Sequence, residues 1–130
     1  MSGAHFNLAL GWLWILLGFV SGAALGMFFH REEWLGGYSS LTRRLYRLGH
    51  IAFFALGALN ILFFFTFDHL PASAFPAESS AALAIGTVTM PLCCFLMAHW
   101  RGTRLLFSIP VLSLVASGFL TVAAILKTNL

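Results

Sequence analysis

Apolar residues fill four stretches of this chain with little interruption, at 8–29, 48–67, 79–98 and 105–126, and polar residues gather in the gaps between them. Each stretch is near the about 20 residues that a helix needs to cross a hydrocarbon core about 30 Å thick. The pattern predicts an all-α integral membrane four-helix bundle, with residues 1–130 forming a single domain. Little chain is left over for a soluble domain.

Breaking signals mark the gaps. Gly36 and Gly37 interrupt the helix after Arg31-Glu32-Glu33-Trp34-Leu35, and Ser40 or Thr42 can cap the next one by accepting from its free N–H groups. Pro71 and Pro76 prevent a continuous helix through the second gap, where Asp68-His69 is expected to cap the loop. Only a few residues around Gly102 join the third and fourth helices, which should be antiparallel neighbours.

Composition agrees with the pattern. Of 130 residues, 60% are hydrophobic and 8% charged, more apolar surface than a soluble domain this small can bury. Charge adds direction. Six of the seven basic residues lie in two gaps: Arg31, Arg43, Arg44 and Arg47 in the first, Arg101 and Arg104 in the third. The second gap has none. The positive-inside rule therefore places the first and third gaps in the cytoplasm and both termini outside, with Lys127 the single exception. The expected location is the bacterial cytoplasmic membrane. The first stretch is about twice as long as a signal-peptide core and lacks a basic lead, so it reads as a retained helix. The net charge of +3 is juxtamembrane and indicates no nucleic-acid partner.

Small residues mark packing faces, because helices in lipid associate by close approach. Gly18, Gly22 and Gly26 form a ridge on the first helix, one heptad after Gly11. On the second helix His50, Gly57 and Asn60 share a face. On the third, Ala82, Gly86, Met90, Cys93 and Met97 form a soft stripe; on the fourth, Ser113, Ser117 and Thr121 can bond to the helix itself or across to Asn60. Pro91 and Pro110 should kink their helices, each freeing a carbonyl that needs a partner, so the kinks are expected to border a small polar cavity. The adjacent Cys93 and Cys94 read as small apolar residues, since neighbouring cysteines make a strained disulfide.

Candidate chemistry rests on histidine. His30, His50 and His99 all lie toward the arginine-bearing side, and His50 is about one turn inside the membrane. His50 with His99 or His30 is a candidate ligand set for haem b, with Arg47 and Arg101 as propionate partners and nearby glycines leaving room for the porphyrin. A metal held by the histidines with Glu32 or Glu33 is a second version. Against both, a histidine near a helix end can satisfy terminal carbonyls. No GxSxG, HExxH or phosphate loop occurs, so hydrolase and nucleotide chemistry lack support. The leading expectation is a non-enzymatic accessory, assembly or packing subunit of a larger membrane complex whose glycine ridge contacts another membrane helix, in this bundle, a second copy or a different subunit, with the contact inside the bundle favoured. The alternative is a small b-type membrane cytochrome.

Overall fold

The computed structural model describes residues 3–128; Met1, Ser2, Asn129 and Leu130, assigned above to the outer side, lie outside the described residues. Four helices follow one another: α1 (Gly3–Phe29), α2 (Leu41–Phe67), α3 (Ala77–His99) and α4 (Ser108–Thr128). Short 3₁₀ turns occur at Trp34–Gly36 and Ala72–Ala74, and Arg101–Phe107 forms a longer 3₁₀ lead into α4. All four helices are long and apolar enough to cross a membrane.

α1, α2 and α3 begin before their apolar stretches, whereas α4 begins at Ser108, inside its stretch, because 105–107 continue the 3₁₀ lead. α2 starts at Leu41, a turn or more before residue 48, because Ser40 caps it: Ser40 Oγ accepts from the Arg43 N–H at 3.1 Å. Thr42 does not cap but donates to the Ala98 carbonyl at 3.2 Å, tying the start of α2 to the end of α3. α1 stops at Phe29, ahead of the glycines. Gly36 and Gly37 serve the turn beyond it, with φ of 85° and 95° that a side chain would disfavour. Asp68 ends α2 and faces His5 of α1 at 4.0 Å rather than capping its own loop.

The packing order follows the chain. α1 lies on α2, α2 on α3 and α3 on α4, with a lesser contact between α1 and α3. α3 and α4 are therefore neighbours, as their short connection implies. Phe63, Phe67 and Leu83 form an apolar cluster beside the second gap, with Leu70, Phe75 and Leu114 against it.

The glycine ridge is spent inside the chain. A Cβ on Gly11 would lie 2.7 Å from the Gly57 carbonyl oxygen, and one on Gly57 would lie 2.9 Å from that of Gly11. Gly18 packs against the Phe54 ring and Gly22 against His50. Nothing approaches Gly26 within 4 Å. A step of four residues turns a helix by about 400°, so the ridge drifts about 40° per step and leaves the α2 face by Gly26. Of the partners open to the ridge, the structure shows the one inside the bundle: Gly11, Gly18 and Gly22 meet α2.

Three helices are pinned by hydrogen bonds. Asn7 Nδ2 donates to Asn60 Oδ1 at 2.9 Å, and Asn60 Nδ2 donates to Thr87 Oγ1 and to the Leu56 carbonyl, both at 2.8 Å. Ser80 Oγ donates to Asn7 Oδ1 at 2.6 Å. Asn7, Asn60 and Thr87 are fully buried. A second cluster joins α3 to α4: Ser79 Oγ donates to the Ser117 carbonyl at 2.9 Å, Ser117 Oγ donates to the Ser79 carbonyl at 3.0 Å, and Thr121 Oγ1 lies 2.7 Å from Ser79 Oγ. Ser117 and Thr121 therefore meet Ser79, not Asn60.

The prolines fit the same scheme. Pro91 frees the Thr87 carbonyl, which accepts from Trp14 Nε1 at 2.9 Å. Pro110 lies in the first turn of α4, where a missing N–H costs little, and the Leu106 carbonyl one turn earlier accepts from Cys93 Sγ at 3.5 Å. Side chains from neighbouring helices take the place of the expected polar cavity. Both cysteines are buried free thiols.

Gly57→Val should force α1 from α2, because the added atoms meet backbone, and lower stability by about 1–3 kcal/mol. Gly26→Val, facing open space, should change it by less than about 0.5 kcal/mol. Thermal unfolding of both variants in mild detergent checks the contrast.

Candidate functional site

α2 carries the two residues around which the candidate histidines are arranged, and it points them to opposite neighbours. His50 faces α1. Its Nδ1 lies 2.9 Å from Ser21 Oγ, and the Ser21 hydroxyl also donates to the Gly18 carbonyl at 3.0 Å. The Ser21 hydroxyl thus occupies Nδ1 of His50, the donor in that contact being set by the imidazole tautomer. The ring packs edge-on to Phe54 at 5.4 Å, and its Cε1–Nε2 edge lies against Gly22. Tyr46, one turn earlier on α2, faces α3 instead. Its hydroxyl lies 2.7 Å from Nε2 of His99, at the exposed end of α3.

His30 is exposed in the turn after α1. Each histidine thus has a different environment: His50 the α1–α2 seam, His99 the tyrosine of α2, and His30 solvent. Among the described residues, no three His, Cys, Asp or Glu side chains come together as a metal site. Glu32 and Glu33 are exposed and do not complete one.

The glycines near His50 do not leave porphyrin-sized space. A Cβ on Gly49 would lie 2.9 Å from the Phe95 ring and 3.3 Å from Cys94, so α3 side chains fill that gap. Gly57 is filled by Gly11 and Ile15. Close helix approach consumes the room that glycine provides. Arg47 and Arg101, the proposed propionate partners, are both exposed.

The most highly organised group at this end is Arg43. Although charged, it is 1% exposed. Its Nη2 donates to the Phe29 carbonyl at 2.5 Å, and Nη1 donates to the carbonyls of Arg31 at 3.2 Å and Glu32 at 3.3 Å. These carbonyls lie at and beyond the end of α1, where partial negative charge collects; that of Phe29 also accepts from the Tyr38 hydroxyl and that of Arg31 from the Trp34 N–H, both at 3.2 Å. The guanidinium also lies over three rings, with Cζ 3.8 Å from the centroid of Tyr38, 4.5 Å from Phe29 and 5.6 Å from Trp34. Carbonyl dipoles and ring faces replace the counter-ion. Only Nε is left without a partner.

Sequence reasoning had assigned Arg43 to topology with its neighbours. Its separate role was marked by position: it follows the Ser40 cap by one turn-length and stands within reach of Trp34 and Tyr38. Asn7 precedes the apolar stretch that begins at residue 8, and nothing in the sequence marks its role; it lies in α1 and binds Asn60.

Arg43→Leu should cost about 1–3 kcal/mol by removing the donors that reach the Phe29, Arg31 and Glu32 carbonyls and leaving that of Glu32 unpaired. Arg43→Lys should recover little, since one ammonium cannot fork across three carbonyls or stack flat on the rings. Arg44→Leu, which removes an exposed charge, is the control. Melting temperatures in detergent give the order.

No protein-family model matches the chain, and no curated protein or solved structure matches it significantly.

Proposed function

We propose that this chain is a non-enzymatic accessory or packing subunit of a larger assembly in the bacterial cytoplasmic membrane, with the arginine-bearing end in the cytoplasm. The carrying observation is how α4 is held. It packs chiefly on α3, and beside it an apolar groove of about 350 Å³ opens between Leu59, Leu62 and Thr66 of α2 and Gly118 and Val122 of α4. No atom stands within 4 Å of where a Cβ on Gly118 would be. Leu112, Val115 and Phe119 project from the same helix, exposed. A small residue left uncovered beside a groove is the kind of place where a further helix can approach closely. The interior polar groups favour the same reading, because Asn7, Asn60, Thr87 and Ser80 are engaged with one another.

A b-type haem site is the second reading. One observation favours it: Ser21 holds Nδ1 of His50, which leaves Nε2 as the ligating nitrogen. Binding would require α1 to withdraw from that edge, because Gly22 covers it.

The readings separate in one preparation. Blue-native electrophoresis of gently solubilised membranes should show the chain in a complex well above its own mass, with Gly118→Leu releasing it. Migration of the native chain as a free monomer would overturn the accessory role. A Soret band after haem-replete expression, abolished by His50→Ala, would establish the cytochrome instead.

Both described chain ends lie beside the Asp68–Pro76 connection: His5 meets Asp68, and Lys127 borders the same cleft as Pro71 and Pro76. Single cysteines at Ser39 and Ala72 should therefore label from opposite sides of intact membranes, Ser39 from the cytoplasm. The native cysteines are buried and give little background.

A further inference from the structure

Five arginines at one end of the molecule are exposed, and among the described residues none has a carboxylate partner: Arg31, Arg44, Arg47, Arg101 and Arg104. The single ion pair among the described residues, His5 with Asp68, is at the other end. Only Glu32 and Glu33 offset the arginines locally. Thr42 bonded to the Ala98 carbonyl, and Tyr46 paired with His99, hold the start of α2 against the end of α3. These contacts gather the charges of both gaps at one level of the bundle.

Apolar groups flank the charges in the 3₁₀ lead to α4. Trp100 is 64% exposed and Leu105 is 76% exposed, on either side of Arg101 and Arg104. Cations beside an uncovered indole and leucine suit the boundary between headgroups and acyl chains, where Trp is enriched. The same segment would be poorly solvated in open water. Topology needs only positive charge in the gap; it does not require these apolar neighbours or the absence of internal ion pairing.

We propose that this end, centred on Trp100, Arg101, Arg104 and Leu105, is a docking surface for the headgroups of anionic phospholipids. The phosphate and its negative headgroup pair with Arg101 and Arg104, joined by Arg44 and Arg47 from α2, while Trp100 and Leu105 enter the acyl boundary. Each arginine close to an anionic leaflet contributes an attraction that falls within a Debye length. The surface therefore selects lipid by charge, and ionic strength weakens it.

Native mass spectrometry of the full chain in neutral detergent tests this, with equimolar phosphatidylglycerol and phosphatidylcholine added. Wild type should retain phosphatidylglycerol about fivefold or more over phosphatidylcholine. A tenfold rise in ammonium acetate should reduce the preference. The double variant Arg101→Gln, Arg104→Gln should lower it severalfold, while Lys127→Gln at the opposite end leaves it unchanged. Equal retention of the two lipids by wild type would overturn the proposal. So would a preference insensitive to ionic strength, one that survives in the double variant, or one lost in Lys127→Gln. The ionic-strength arm uses wild type alone and decides the matter even if the double variant does not fold.

Discussion

A hydrocarbon surround offers no hydrogen-bond partner, and the interior of these four helices, all apolar enough to cross a membrane, is organised as that constraint requires. Every buried polar side chain inside the bundle meets another helix. Asn7, Asn60, Thr87 and Ser80 close a network across α1, α2 and α3. Ser79, Ser117 and Thr121 do the same between α3 and α4. Trp14 and Cys93 extend the rule to backbone carbonyls ahead of the two prolines. Each such bond is worth only about 1 kcal/mol against a membrane-embedded unfolded state. Their value lies in fixing register: sliding α1 along α2 would part Asn7 from Asn60 and Trp14 from Thr87 together.

Close approach makes those bonds reachable. Gly11 and Gly57 bring the α1 and α2 backbones together, and the amide of Asn7 then reaches Asn60. Gly86 serves α3 and α4 similarly, with Leu114 lying where its side chain would be. Glycine and hydrogen bond are thus parts of one arrangement. A larger residue at Gly57 would lengthen the polar contacts above and below it as well as creating a clash.

Much of this was legible along the chain. Run lengths marked the four helices, and the Ser40 cap and the short Gly102 connection were readable from local chemistry. Periodicity also placed His50, Gly57 and Asn60 on one face, and that face meets α1. What the pattern could not supply was the neighbour. Gly18 and Gly22 look the same whether they meet α2 or another protein. Arg43 looks like Arg44, although one is buried among rings and carbonyls and the other is exposed. The three histidines lie toward the same end of the bundle but not in one direction around it, and an end is all that sequence distance from an arginine conveys. Asn7 was missed because α1 begins before its apolar run does.

The arginine end shows how one gap divides its charges between two tasks. The α1 ridge turns away from α2 by Gly26, so glycine packing cannot hold the last turn of α1. Arg43 spans that distance. Its long side chain reaches from α2 to the carbonyls of Phe29, Arg31 and Glu32, where the short side chain of Asn60 suffices at the tight crossing. A buried guanidinium is costly unless its hydrogens are satisfied, and here carbonyls take the Nη groups while Phe29, Trp34 and Tyr38 shield the plane. That use removes Arg43 from the surface and leaves its neighbours Arg44 and Arg47 exposed. Arg43 therefore works in the closure of the first gap, together with Tyr38, whose hydroxyl donates to the Phe29 carbonyl, and with the stacked rings of Phe28 and Trp34, while the outward electrostatics of this end rest on other arginines. Replacing Arg43 should loosen the fold with little effect on lipid preference, whereas replacing Arg101 and Arg104 should do the reverse.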